Sequence, residues 1–158
     1  MKIGIVLAST PGYSETFFIS KIKGLQKHSF EVLLFVNNQK SEFDLCEVKK
    51  APANNGLGFL KSFFGFLFLF LRKPNTLRKF IVLEKQSDVS LIEIVKKVFL
   101  NQHILRASDL AWLHFGFATQ AIGKENLAKS LEAKMAVSLR GFDIDVYPLK
   151  HKDCYSFL

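Results

Sequence analysis

The sequence predicts an α/β domain built on a doubly wound parallel sheet. Three observations carry this. Ile3 to Ala8 is a continuous apolar run with the character of a strand buried on both faces, and Phe30 to Val36 and Leu110 to Phe115 are two further, mostly apolar strand-like runs. Stretches with apolar residues at helical spacing separate them. The chain has 158 residues, 49% of them hydrophobic and 23% charged, which suffices for one domain with a sizeable core but not for two of full size.

The elements follow in order. Ile3 to Ala8 is the first strand, and Ser9-Thr10-Pro11-Gly12-Tyr13 is the turn-rich loop after it. Ser14 is placed to cap a helix with Glu15 in its first turn, and Phe17, Phe18, Ile22 and Leu25 give that helix its apolar face. Phe30 to Val36 is the second strand, with Asn37 to Lys40 as its exit, and together these make a right-handed βαβ unit. Asp44 to Lys50 is a poorer third strand, and residues 51–56 lead into an aromatic helix that Pro74 should end. Leu77 to Lys85, and then Leu91 to Phe99, form two further helical patterns divided at Ser87-Asp88. Leu110 to Phe115 returns to strand, Ala118 to Lys134 to helix and Met135 to Leu139 to strand, before a turn at Arg140-Gly141.

The net charge is +8, and its distribution matters more than its size. Between Val48 and Leu83 there is no acidic residue, while Lys49, Lys50, Lys61, Arg72, Lys73, Arg78 and Lys79 contribute +7. The same stretch holds seven of the seventeen phenylalanines. From Phe59 to Leu71 only Lys61 and Ser62 are clearly polar, so this helix is apolar on almost every face, unlike an ordinary surface helix. Its length of about 20 Å falls short of a hydrocarbon core of about 30 Å. Three readings remain: burial in the domain, coverage by a partner, or a helix lying in a membrane interface. The basic flanks favour the last, because Lys and Arg near an anionic leaflet are each worth roughly 1 kcal/mol. On that reading Lys61, Phe63, Phe66, Phe70, Arg72 and Lys73 touch an anionic membrane surface. Nucleic acid is disfavoured as a partner, because the phenylalanines form one block with leucine rather than alternating with Arg and Gly.

In an open parallel sheet, ligands gather beyond the carboxyl ends of the strands. Three loops sit there: Ser9 to Glu15, His114 to Ala118, and Arg140 to Asp145. The first lacks the glycine pattern of dinucleotide folds and the Lys-Ser/Thr ending of a P-loop. Gly12 and the amides at Ser14 suit a phosphate at a helix start, or they merely turn and cap the chain. His114 sits at a strand end beside Phe115-Gly116, without a partner at diagnostic spacing, so a structural role stays open beside a functional one. Arg140 is a natural phosphate ligand, with a surface pair to Asp143 as the plainer alternative. Two cysteines, Cys46 and Cys154, make neither a disulfide framework nor a zinc site. The first apolar run is shorter than a secretory one, so the expected location is the cytoplasm.

Taken together, these loops resemble the N-terminal domain of family 4 retaining glycosyltransferases with the GT-B fold, of the type that builds bacterial exopolysaccharide, lipopolysaccharide or capsule. Lys2-Ile3-Gly4-Ile5-Val6-Leu7 followed by Pro11-Gly12-Tyr13-Ser14-Glu15-Thr16-Phe17-Phe18 is similar to that family's first strand and helix start. Trp112-Leu113-His114-Phe115-Gly116 is similar to a strand end often written His-x-His-Phe, and Ala136 to Ile144 is similar to a strand ending in His-Gly-x-Asp. All three occur in the family's order and spacing.

The resemblance implies a Rossmann-like sheet forming one half of a GT-B fold, the half that binds the acceptor. It implies a nucleotide-diphosphate sugar as donor, a lipid-linked or oligosaccharide acceptor, and no metal or other cofactor. By its analogy Gly12, Ser14, Glu15, Thr16, Gly116 and Gly141 bind substrate, while His114, Arg140 and Asp143 stand at the catalytic positions. Arg140 replaces a histidine of many relatives; a guanidinium stays protonated, so it suits phosphate or oxyanion stabilisation rather than acid/base work. The family also has a second Rossmann-like domain that holds the donor, which nothing after Asp145 supplies, so these residues alone are expected to be inactive. Relatives with lipid-linked acceptors commonly rest on the inner face of the cytoplasmic membrane. A non-catalytic membrane-surface or partner-binding module is the alternative.

Overall fold

The computed structural model describes residues 1–12, 15–40, 42–52 and 56–156, and for 56, 57 and 59–61 the backbone alone. Five strands form one all-parallel, Rossmann-like sheet: β1 (Lys2–Ser9), β2 (Glu31–Asn38), β3 (Glu47–Lys50), β4 (Leu110–Phe115) and β5 (Lys134–Val137), in the order β3-β2-β1-β4-β5. The register sets Val6 between Phe35 and Phe115, and Ile5 between Leu34 and His114. β1 and β2 are each buried along five successive residues, which is why they read as unbroken apolar runs.

The helices divide between the two faces of the sheet. α1 (Thr16–Lys27) covers one face, where Phe18 and Ile22 pack on Ile3, Ile5, Leu7, Val32, Leu34 and Val36. The β3-to-β4 crossover carries α2 (Gly56–Arg72), α3 (Pro74–Gln86) and α4 (Leu91–Leu105). With α5 (Glu125–Ser130), these helices cover the other face around Val6, Leu33, Phe35, Leu113 and Phe115. Alternate residues of each strand thus serve alternate layers.

Local chemistry explains the boundaries. α2 stops at Arg72, and Pro74 opens α3 at a position where its missing N–H costs nothing. Ser90 caps α4, its Oγ accepting from the Glu93 amide at 3.3 Å. The Glu84 carboxylate is fully buried; it accepts from Lys97 Nζ at 2.6 Å and from Asn126 Nδ2 at 3.1 Å, tying α3, α4 and α5 together.

Four expectations change. Asn37 and Asn38 belong to β2 rather than to its exit loop. The long helix expected from Ala118 to Lys134 is a 3₁₀ turn at Ala118–Gln120 followed by the short α5, because Gly123 takes φ +69° and breaks the helical path. Glu15, not Ser14, holds the cap position of α1, and Ser14 lies outside the described residues. The turn at Arg140-Gly141 is instead the entry to a wide helical turn of π type, Phe142–Val146, which continues into α6 (Tyr147–Lys150).

α2 packs with its usual polarity reversed. Ser62 and Gly65 face inward, and a Cβ on Gly65 would lie 1.6 Å from Gln102 Oε1 on α4. Leu69 is buried and Phe66 stacks on Phe99 of α4 at 5.3 Å. Phe63, Phe64, Leu67, Phe70 and Leu71 face outward. Small residues allow the close approach to α4, so the bulky apolar ones are left on the exposed side. The helix is therefore neither wholly buried nor amphipathic in the ordinary sense.

Candidate functional site

The chain order reverses between β1 and β4: from β1 the sheet grows one way through β2 and β3, and from β4 the other way to β5. A parallel sheet opens a crevice at such a switch point, beyond the carboxyl ends of its strands. The loops after β1, β4 and β5 meet there. The Gly116 amide donates to the Val6 carbonyl at 3.0 Å, and the Ser138 amide donates to Phe115 at 2.9 Å, which extends the ladders to the rim. The Gln120 amide pairs with the end of β1, its nitrogen toward the Val6 carbonyl at 2.9 Å and its oxygen toward the Ala8 amide at 2.8 Å.

Four side chains from three elements converge at this rim. His114 Nε2 lies 2.9 Å from Ser138 Oγ and 3.3 Å from Lys21 Nζ on α1. An ammonium only donates, so Nε2 is the acceptor and the ring proton sits on Nδ1. Burial, and then the charge of Lys21, push the His114 pKa down to about 4, which keeps the imidazole neutral near pH 7. Lys21 is itself lowered, first by burial and then by Arg140. The Arg140 guanidinium lies 3.4 Å from the centre of the Phe17 ring and 5.4 Å from those of Phe18 and Phe117. Aromatic faces hold its plane and leave its N–H edges for a ligand. The Arg140 charge thus disfavours that of Lys21, a cost that a bound anion would relieve.

The other expected residues divide between support and rim. Asp143 is fully buried and accepts from the Thr119 amide at 3.1 Å, the Arg140 amide at 3.1 Å and the Tyr155 hydroxyl at 3.4 Å. It binds the Arg140 backbone rather than forming a surface pair with the guanidinium, and it joins the loops after β4 and β5. Gly116 is a packing position: a Cβ there would lie 2.3 Å from Leu7 and 2.6 Å from Phe18. Gly12 is exposed, its amide donating to Glu15 Oε2 at 3.2 Å, so Glu15 closes the first loop on itself. Thr16 is exposed on the first turn of α1. Gly141 has ordinary right-handed angles and room for a side chain.

No family model matches this chain, and comparison with curated proteins and solved structures finds no match. The site therefore rests on its own geometry.

Sequence reasoning missed Lys21 and Ser138. Lys21 stands one helical turn after Phe17, the residue that carries Arg140, and that i,i+4 spacing was the available signal. Ser138 was hidden inside an expected strand. Among the described residues no group of three or more His, Cys, Asp and Glu is placed to hold a metal ion. A cleft of about 740 Å³ between α3 and α5 is lined by Arg78, Lys79 and Lys129 among others, away from the switch point and with Lys79 already paired to Glu132.

Of the residues expected at a membrane, Phe63, Phe70 and Arg72 are exposed. Phe66 is turned inward onto Phe99, so it supports the helix rather than facing outward. Lys73 Nζ is tied to the Ala107 carbonyl at 2.7 Å and to Ser108 Oγ. The Lys61 side chain lies outside the described residues. Among those residues no helix is long and apolar enough to cross a membrane.

Proposed function

We propose that this chain is the acceptor-binding domain, one half of a GT-B fold, of a retaining glycosyltransferase that moves a sugar from a nucleotide-diphosphate sugar to a lipid-linked or oligosaccharide acceptor in cell-surface polysaccharide synthesis. The observation that carries the reading is that all three family-like segments end at one switch point, where Lys21 and Arg140 form a cationic pair beside His114 and Ser138.

As the bond between sugar and diphosphate breaks, negative charge grows on the departing phosphate. Fixed cations in a partly dry cleft stabilise that charge without reorganising. In this reading Arg140 and Lys21 face the diphosphate and the Gly12 loop borders it. Neutral His114 and Ser138 offer hydrogen bonds to acceptor hydroxyls, and Asp143 is a positioning residue for the Arg140 loop. The donor half is a second Rossmann-like domain. α2 rests on the cytoplasmic leaflet through Phe63, Phe64 and Phe70, bringing the crevice to lipid-linked acceptors.

The test uses the native gene product, isolated at its natural length and incubated with labelled nucleotide sugars and a lipid extract from its own cells. Sugar transfer is expected, with Arg140→Gln lowering kcat about 10²-fold. Absence of transfer from every nucleotide sugar, or an unimpaired Arg140→Gln variant, would overturn the reading. A second reading, a membrane-surface module without sugar chemistry, is favoured by the outward aromatic face of α2; vesicle binding without any transfer would select it.

A further inference from the structure

Away from the switch point, the corner where β3, α2 and α4 meet holds a cleft of about 280 Å³. Lys49, Lys50 and Arg106 line it, and among the described residues no carboxylate does. Lys49 is paired with Glu47, while Lys50 forms no ion pair among the described residues. The Arg106 guanidinium lies 4.6 Å from the centre of the Phe68 ring, which fixes its plane and leaves the N–H edges for an acceptor. His103 also lines the cleft, with its Nδ1 closed off from solvent. Burial and then Lys124 push its pKa down to about 4, so it is neutral. Like charges gathered around a cleft repel each other. One anionic oxygen group would offset that repulsion. Phe68 belongs at once to this cleft and to the outward side of α2.

We propose that this cleft binds a phosphate group carried on a lipid headgroup, so that Lys50 and Arg106 hold the phosphate while the exposed phenylalanines of α2 enter the interface beside it. The inference rests on the reading of α2 as a membrane-facing helix. A phosphate monoester suits the cleft better than a diester, because its extra charge and its three terminal oxygens can meet several cations at once. It adds specificity to a surface that would otherwise sense only negative charge.

The experiment compares phosphatidylcholine vesicles containing phosphatidic acid with vesicles containing phosphatidylglycerol, matched in surface charge, and uses glycerol 3-phosphate as the soluble probe. The wild-type chain is expected to favour phosphatidic acid about tenfold. Lys50→Gln with Arg106→Gln should abolish that preference, while Lys23→Gln with Lys27→Gln on α1 should retain it. All four residues are exposed, so the fold should tolerate these changes, and circular dichroism checks that it does. Equal binding to both vesicle types, with equal losses in the two double variants, would overturn the phosphate site and leave membrane docking standing. Glycerol 3-phosphate shifting the amides of Lys50, His103 and Arg106 without any vesicle binding would overturn the lipid source and the docking of α2, leaving a soluble phosphate site. No response to any probe would overturn both.

Discussion

Replacing Phe64 and Phe70 by serine separates a membrane-facing α2 from a merely buried one. Each phenylalanine is 60% exposed. With about 200 Å² per side chain, roughly 120 Å² of each is open, worth about 3 kcal/mol at about 25 cal/mol per Å² if fully buried. A helix lying in the interface buries about half of that, so the pair contributes about 3 kcal/mol to docking, or roughly 100-fold in vesicle partitioning. The same changes should move folding stability by no more than about 0.5 kcal/mol each, since little packing is lost. Phe66→Ala should behave in the opposite way: it removes the stack on Phe99 and costs about 2 kcal/mol of stability. Co-sedimentation with anionic vesicles at low salt, beside urea denaturation, reads both quantities. Wild-type partitioning by Phe64→Ser with Phe70→Ser would refute the docking argument, and a stability loss above about 2 kcal/mol would refute the assigned exposure.

Other outcomes follow from the core. Lys97→Met leaves the buried Glu84 carboxylate without its cation and should cost about 3 kcal/mol, partly recovered by adding Glu84→Leu; an unchanged denaturation midpoint for Lys97→Met would contradict the network. Gly116→Ala drives a methyl into Leu7 and Phe18 and should cost about 1–3 kcal/mol, read by thermal melting. His103 and His114 both titrate near 4 when folded, against the ordinary 6.5. Below pH 6.5 the unfolded chain therefore takes up protons that the folded chain refuses, so their contribution to stability is present above pH 6.5 and is lost as pH falls toward 4. His103→Leu should flatten that slope; an equally steep profile would refute its burial as a neutral ring.

Much of the sheet was legible because β1 and β2 are each buried along five successive residues, which writes itself as an apolar run, and β4 is apolar apart from His114. The helix break at Gly123 was not, since a glycine in a helical pattern signals its positive φ only weakly. For α2 the composition showed how apolar the helix is but not which side faces out. That depended on Ser62 and Gly65 meeting α4, a tertiary contact with no local signature. At the rim, His114 and Arg140 stood out by their chemistry at strand ends. Lys21 and Ser138 did not, because one looks like any helix lysine and the other like any strand serine until β4 and α1 bring them to the same ring nitrogen. Asp143 showed as a titratable loop residue, and only its three loop partners reveal it as a support.

The most direct test of the switch-point site is an amide-resolved NMR titration of the chain with pyrophosphate, a diphosphate without sugar or base. A cationic switch-point site gives saturable shifts at Gly12, Lys21, Gly116, Ser138 and Arg140 that disappear in Lys21→Gln with Arg140→Gln. Unperturbed amides at these five positions under saturating pyrophosphate would contradict it.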